Sequence, residues 1–491
     1  MAAGVAAPEA ALSEFIQRQR WFAGRDRGVA TLEIEEAGIL AGADPALLEV
    51  VVVVTYRDHG TERYHVPLSV RTEANAIFVG DHLVSEGVRD GEPVQVIDAL
   101  ADGEAASMFW RLVSEDGVVP MVAATIRGRT IGDRVAPADP SEVHPLAREQ
   151  SNSLLLRGDT ELLKCFRRIE TESSPELEML EGLAGAGFTH IARPLGVVEY
   201  AVEERAAMLA MLQPYLHNAT EGWALAQTSL RDLYAEAEQR AYDTSLDIRA
   251  LVDDQGSDFS PEAERLGVVT AEMHLALASA QLPDEMRAMT ADSATVAAWA
   301  AEMTADLESV LPPMRERLPE LGAREPRIRA RLLAMAELTN GGLATRVHGD
   351  FHLGQVVRTD AGWTVLDFEG EPTRTVAARR RRSSPLRDVA GMLRSFDYAA
   401  AAAISERTPE AGPERERLLP YADAWAGVNR EAFWDAYVAT AAGHGLLPGG
   451  DSARVLLEAF ETQKALYEVD YELKHRPDWL WIPARFLERQ D

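Results

Sequence analysis

Along the first hundred residues apolar and polar positions mostly alternate. Residues 31–39, 47–56 and 63–71 carry the period of half-buried strands, and the last two flank the polar turn Arg57-Asp58-His59-Gly60. Ahead of them, residues 11–20 have helical spacing and run into Gln19-Arg20-Trp21-Phe22-Ala23-Gly24. Residues 99–114 read as a helix, after which strands return at 121–127, 153–157 and 162–167. The last two flank Gly158-Asp159, a hairpin signal. A helix over 175–187 opens at Ser173-Ser174-Pro175, a capping pair followed by proline in the first turn. Strands at 195–200 and 206–212 follow.

From Asn218 onward the period is helical. Segments 222–240, 260–280, 294–317, 327–338, 385–402, 430–443 and 452–475 carry it. One segment interrupts them: 347–357 and 363–368 read as loop, short strand, turn and short strand. Pro/Gly-rich connections fall near 312–326, 408–413 and 445–450, and 253–260 reads as a polar loop. The pattern predicts an α+β chain in three parts, 1–97, 98–213 and 214–491, with no internal repeat. A length of 491 residues suits two to three domains.

Composition narrows the classes. At 46% hydrophobic and 26% charged, the chain is a globular protein and not a disordered one. Its longest wholly apolar runs, 206–212 and 398–404, fall short of the roughly 18 residues of a membrane span. The N-terminus has no positive charge ahead of its first acid, so no secretory leader is expected and the protein is expected to be cytoplasmic. With 49 basic and 79 acidic residues the net charge is −30, a field that repels nucleic acid and anionic lipid. A small anion can still be held by a local cation or a divalent metal. The single cysteine, Cys165, excludes an intrachain disulfide and a thiolate zinc site, and its apolar setting marks it as a buried, inert thiol. Of the 49 basic residues only Lys164, Lys464 and Lys474 are lysines. Against such a background a lysine marks a place where arginine would not serve, and Lys164 stands inside an apolar stretch.

Three islands carry chemistry. One is residues 149–153 (Glu-Gln-Ser-Asn-Ser) with Lys164 and Glu178; the second is 347–355 (Val-His-Gly-Asp-Phe-His-Leu-Gly-Gln); the third is 367–372 (Asp-Phe-Glu-Gly-Glu-Pro). Gly349 permits a tight loop that aims Asp350 outward. Asp350 can meet a hydroxyl nucleophile, while Gln355 and Asp367 offer well-separated oxygen ligands of the kind Mg²⁺ takes. Lys164 supplies a cation for nucleotide phosphates, with Glu178 on the next helix as its partner. Together these are the parts phosphoryl transfer requires. No P-loop and no dinucleotide fingerprint occurs, so the 149–153 turn must cradle phosphates with its backbone and its small polar side chains Ser151, Asn152 and Ser153. His348 and His352 have the spacing of a zinc pair. The glutamate of that motif is absent and Gly349 is a poor helix former, so His348 is expected to hold the loop by hydrogen bonds. The run Arg379-Arg380-Arg381-Arg382 reads as a solvated loop or a dock for an acidic partner.

These motifs resemble the aminoglycoside-phosphotransferase-like branch of the protein-kinase fold and, more closely, the actinobacterial maltokinases. Beyond the islands, the likeness rests on Gln19–Gly24, residues 163–168, Glu221-Gly222-Trp223, 384–398 and 467–477. It implies a bilobal α+β kinase-like fold with an extra N-terminal cap (1–97), a kinase-like N-lobe (98–213) and a mainly helical C-lobe (214–491). It implies ATP and Mg²⁺ as cofactors, maltose as acceptor, maltose 1-phosphate as product feeding α-glucan synthesis, and trehalose synthase as a partner through the pathway. Residue by residue, Asp350 matches the catalytic base and Asp367 the metal-binding aspartate. Gln355 stands where the wider fold usually has asparagine as a metal ligand. Lys164 and Glu178 match the phosphate-binding lysine and its helix partner, and Met211, Gln213 and Tyr215 fall on the adenine hinge. For the acceptor, Gln463, Tyr467 and Tyr471 recur at i, i+4, i+8, as do Lys464, Glu468 and Glu472, so each set shares a helix face. Tyr467, Glu468, Tyr471, Glu472 and Trp479, with His348 and Glu369, are the acceptor residues expected. Carboxylates on such a face also suit an ammonium group, and related kinases phosphorylate glucosamine, which keeps glucosamine as the alternative acceptor. A non-catalytic scaffold would be expected to have lost Lys164, Asp350 or Asp367. A protein kinase would carry Ala-Pro-Glu soon after Asp367, whereas Thr408-Pro409-Glu410 comes after a further helix.

Overall fold

The computed structural model describes residues 8–42, 44–146, 152–170, 174–203, 205–240, 247–255, 259–371, 374–408 and 410–489. The sequence-predicted Ser151, with Glu149, Gln150 and Pro372 beside the other sites, lies outside them. The chain forms two compact units, Met1–Glu178 with Ala192–His217, and Met179–Ile191 with Asn218–Asp491.

The first unit holds two seven-stranded sheets. In one, Val29–Ala41 pairs antiparallel with Ala46–Tyr56, whose valine run is buried on both faces. The strand expected over 63–71 is two strands, Thr61–His65 and Leu68–Thr72. Pro67 lies between them and has no N–H to continue a ladder. The Gln19–Gly24 motif belongs to this core: Trp21 and Phe22 lie 6.0 and 5.3 Å from the Tyr64 ring. Gly24 is required because a Cβ there would come within 2.1 Å of the Tyr56 ring.

The second sheet is antiparallel throughout and places Glu161–Cys165 between Ser153–Arg157 and Arg205–Pro214. The hairpin turns at Gly158, with φ +54°, as its Gly-Asp signal predicted. The strand expected from residue 121 starts at Thr125, because the Val122 and Ala123 N–H groups are held by the Glu36 carboxylate at 2.8 and 2.9 Å. Cys165 is wholly buried and burial pushes its thiol up, so it is inert as expected.

The second unit is mainly helical. Its longest helix, Pro413–Ala441, was visible in the pattern only from residue 430. Two short strands, Val356–Thr359 and Gly362–Val365, form the hairpin that separates the Asp350 loop from Asp367. No helix among the described residues is long and apolar enough to cross a membrane.

Candidate active site

The loop bearing Asp350 is held from a distance. Asp388, in the first turn of the Leu386–Arg407 helix, accepts the N–H groups of His348 and Gly349, both at 2.8 Å. His274 Nε2 lies 3.1 Å from the same carboxylate, and its Nδ1 is 2.9 Å from the Tyr437 hydroxyl. Burial pushes the Asp388 carboxyl up, but His274 and the surrounding donors outweigh it and hold the group below its ordinary value. A charged acceptor aimed at two adjacent N–H groups fixes the loop, because each such bond is charge-assisted. Gly349 has φ +85°, a conformation that strains any side chain, and the turn leaves Asp350 half-buried, its side chain 20% exposed.

His348 is 1% exposed and faces inward. Its Nε2 donates to the Leu366 carbonyl at 2.8 Å, which leaves Nδ1 as the acceptor toward the Asp350 N–H at 3.4 Å. Burial lowers its pKa and keeps the ring neutral. His348 therefore holds the loop, as its setting in the sequence suggested, and the acceptor role also assigned to it is corrected.

Asp350 lies 3.2 Å from Lys464 Nζ and 3.8 Å from His352 Nε2. Burial would raise its pKa, yet the His352 ring and the Lys464 ammonium together hold the carboxyl well below the ordinary range. It is a carboxylate at neutral pH, ready to orient and deprotonate a hydroxyl. Lys464 was not recognised at this role from spacing; the scarcity of lysine was the one signal that pointed to it.

Gln355 and Asp367 are brought together by main-chain pairing. Leu366 N–H donates to the Gln355 carbonyl at 2.9 Å, and Val356 faces Val365 in the hairpin. Asp367 is exposed and takes φ +55°, a left-handed conformation rare for a residue with a side chain. A carboxylate and a side-chain amide, on residues that this main-chain pairing draws near one another, offer hard oxygens of the kind Mg²⁺ takes. Glu369 offers its carbonyl to Arg379 Nη1 at 3.0 Å.

A cavity of about 160 Å³ opens beside the loop, between Gly349 and Phe351 and the Ser452–His475 helix, from which Gln463, Lys464, Tyr467 and Asp470 face it. Tyr467, expected among the acceptor residues, lines this cavity. Tyr471 stacks on Tyr467 at 6.4 Å. Glu468 and Glu472 are corrected: they do not face this cavity. At 3.6 residues per turn they lie about 100° and 140° round the helix from Tyr467. Glu468 is ion-paired to the buried Arg394 at 2.6 Å. Glu472, 1% exposed, accepts from the Tyr398 hydroxyl and from Arg476 at 2.9 Å. Trp479 stacks on Tyr398 at 5.9 Å, in that same group and away from the cavity.

In the first unit Lys164 lies on a central strand opposite Met211 and is 8% exposed. Its ammonium is 3.1 Å from Glu176, which is 2% exposed in the first turn of the Pro175–Gly185 helix. The partner identified from sequence was Glu178; two residues along a helix turn the side chain by about 200°, and Glu176 is the one directed at the sheet. The Ser153 hydroxyl accepts from Arg167 Nε at 2.8 Å, which draws it into the Arg167–Asp98 pair. Asn152 precedes it at the start of that strand. Met211 is wholly buried, the Gln213 amide donates to the Ala192 carbonyl at 2.7 Å, and Tyr215 N–H is tied to Thr160 at 2.8 Å. The side chains of Met211 and Gln213 therefore pack inward, and only main chain is left to serve as a hinge there.

A lysine–glutamate pair on a seven-stranded antiparallel sheet, an aspartate on a pinned loop and a second aspartate after a hairpin are the parts of a kinase-type phosphotransferase. Residues 15–102 match the maltokinase N-terminal cap domain. The chain is 30% identical over 405 residues to a glucosamine kinase of Streptacidiphilus jiangxiensis, covering 81% of each chain. It is 28% identical over 346 residues to a glucosamine kinase of Mycolicibacterium smegmatis, covering 70% of this chain and 78% of that one. A solved glucosamine kinase in complex with glucosamine, ADP and inorganic phosphate shares the fold, with a TM-score of 0.66, 24% identity and coverage of 97% of this chain and 98% of the other. The chain belongs to the family of these actinobacterial kinases, sugar phosphotransferases with a kinase-like fold and a maltokinase-type cap.

Proposed function

We propose that the protein uses ATP and Mg²⁺ to phosphorylate glucosamine. The observation that carries the acceptor is the 30% identity with a named glucosamine kinase over 81% of the chain. Asp470 lines the cavity beside the Asp350 loop, and its carboxylate suits an ammonium group; Asp306 and Glu371 line it too but lie beside Arg374. Lys164, oriented by Glu176, would bind nucleotide phosphate. Gln355 and Asp367 would hold Mg²⁺, which when bound neutralises charge on the phosphates. Asp350 would orient the acceptor hydroxyl and take its proton, and Lys464 would keep that carboxylate ionised and aimed.

Maltose is the second reading. The cap match favours it, and so does a second compartment contiguous with the first, which gives a second ring room. A trehalose synthase partner belongs to that reading alone. Phosphate transfer from ATP, measured against glucosamine, maltose, glucose and an aminoglycoside with the products identified by ³¹P NMR, tests both. Efficient turnover of glucosamine with none of maltose supports the first; the reverse overturns it in favour of the second.

A further inference from the structure

Glu302 and Asp306 stand one turn apart on the same face of the Ser293–Arg317 helix, yet they line different cavities. Asp306 lines the one of about 160 Å³ beside the Asp350 loop. Glu302 lines a second, of about 300 Å³. The two cavities share Gly349, Glu371, Arg374, Arg387, Phe460 and Gln463, which therefore form the wall between them.

Arg374 ties that wall together. Its Nη1 donates to Glu302 at 2.5 Å and its Nε to Glu371 at 2.8 Å, while Nη2 lies 3.9 Å from Asp306. One guanidinium thus meets a carboxylate of each compartment and one that both share. The outer anchors are themselves held: Arg381 reaches Glu302 at 3.3 Å, and the Gln463 amide donates to Asp306 at 2.6 Å. Burial would lower the Arg374 pKa, but Glu302 and Glu371 outweigh it and hold the guanidinium above its ordinary value. Burial would likewise raise Glu302, and Arg374 holds it below its ordinary value instead. The pair is therefore ionised at neutral pH. Elsewhere the wall is fixed by packing: Gly349 has no side chain, and Phe460, 3% exposed, sits edge-on to Trp299 at 6.1 Å.

The sizes bear on what can enter. Pockets that enclose drug-sized ligands hold roughly 300–1,000 Å³. The cavity beside the Asp350 loop falls below that range, and the two joined would fall within it. We propose that Arg374 determines acceptor length: held across the wall, it confines the acceptor to a single sugar ring, and without it a second ring enters the neighbouring compartment. The inference rests on the sugar-kinase reading and adds to it the class of acceptor, a monosaccharide.

The test compares kcat/KM for glucosamine, its chitosan-derived dimer and maltose, with ATP and the full chain. Wild type should favour the single ring over both disaccharides by at least about tenfold. Arg374→Ala should narrow that preference roughly tenfold, through a lower KM for a disaccharide. Arg374→Lys keeps the charge and most of the length, and should restore it. Arg374→Ala leaves Glu302, Glu371 and Asp306 without their shared cation, which puts folding at stake. Glu302→Gln, which keeps the shape of one anchor and removes its charge, is therefore the second variant, and should narrow the preference by a smaller factor. Wild type that uses either disaccharide as readily as glucosamine overturns the proposal. So does a preference that Arg374→Ala and Glu302→Gln both leave unchanged, which would make Arg374 a brace of the loop. If wild type phosphorylates none of these sugars, the sugar-kinase reading fails, and calorimetric titration of the same three sugars decides the role of Arg374. Disaccharide binding gained in Arg374→Ala then supports it; the same binding in both chains overturns it.

Discussion

Lys464 Nζ lies 3.2 Å from Asp350 Oδ1, so one of the chain's three lysines is committed to the carboxylate proposed as the base. The pair has a measurable consequence. With the ammonium present, Asp350 is held well below the ordinary carboxylate range, so the base is retained as pH falls through about 4. In Lys464→Met the folded-state pKa rises, and the acid limb of kcat/KM should move to higher pH. An unmoved limb would show that the pair has no electrostatic role.

Asp350→Asn should cut turnover by roughly 10²–10⁴, the usual range for a general base, with nucleotide affinity retained. Turnover close to wild type in this variant would refute the assignment.

Lys164→Arg should be badly impaired even in a chain that otherwise writes arginine. The pocket is formed around a compact ammonium 3.1 Å from Glu176, and a planar fork does not occupy the same space. Glu176→Gln should raise the KM for ATP more than Glu178→Gln. Equal effects of the two would contradict the pairing seen here.

Glu472→Gln looked from sequence like a switch between acceptors. Buried against Tyr398 and Arg476, Glu472 should instead act on stability, by about 1–3 kcal/mol, with the ratio of kcat/KM for glucosamine and maltose unchanged. A change in that ratio without a change in Tm would restore the acceptor role.

Asp98 is wholly buried; burial raises its pKa, but Arg167 at 2.5 Å more than offsets this and holds it at about 2. Its folded pKa is thus below the unfolded value of about 3.9, so its stabilisation is present above that pH and is lost as pH falls toward the folded value. Asp98→Asn should lower stability at neutral pH by about 3–5 kcal/mol by stranding a buried guanidinium. The same variant should also flatten the acid dependence of Tm; an undiminished dependence would assign it elsewhere.

Local signals were legible where one residue type decides the backbone. The Gly158 turn, the tight Gly349 loop and the order of the helices could be read directly. The hairpin of Leu83–Arg89 and Glu92–Asp98 went unread although Asp90-Gly91, both at positive φ, mark its turn. Pro413–Ala441 was half hidden because Pro420 and an alternating-charge first turn break the apolar period. Pairings across the fold were not legible. Glu468 and Glu472 look alike on a helical wheel, and their partners Arg394 and Tyr398 each lie 74 residues away. Likewise, nothing in the spacing of His348 and Gly349 announces Asp388.

Asp388 reaches Gly349 across 39 residues of chain, and the segment between them contributes Glu371, Arg374 and Arg387 to the cavity walls. The Asp350 loop is therefore hung from a distant helix and from Leu366, while the later stretch from Glu371 to Arg387 lines the cavity instead. Insertions and deletions there can remodel what the enzyme accepts while the reacting carboxylate keeps its position. A lineage built this way can exchange one sugar for another without reinventing phosphoryl transfer.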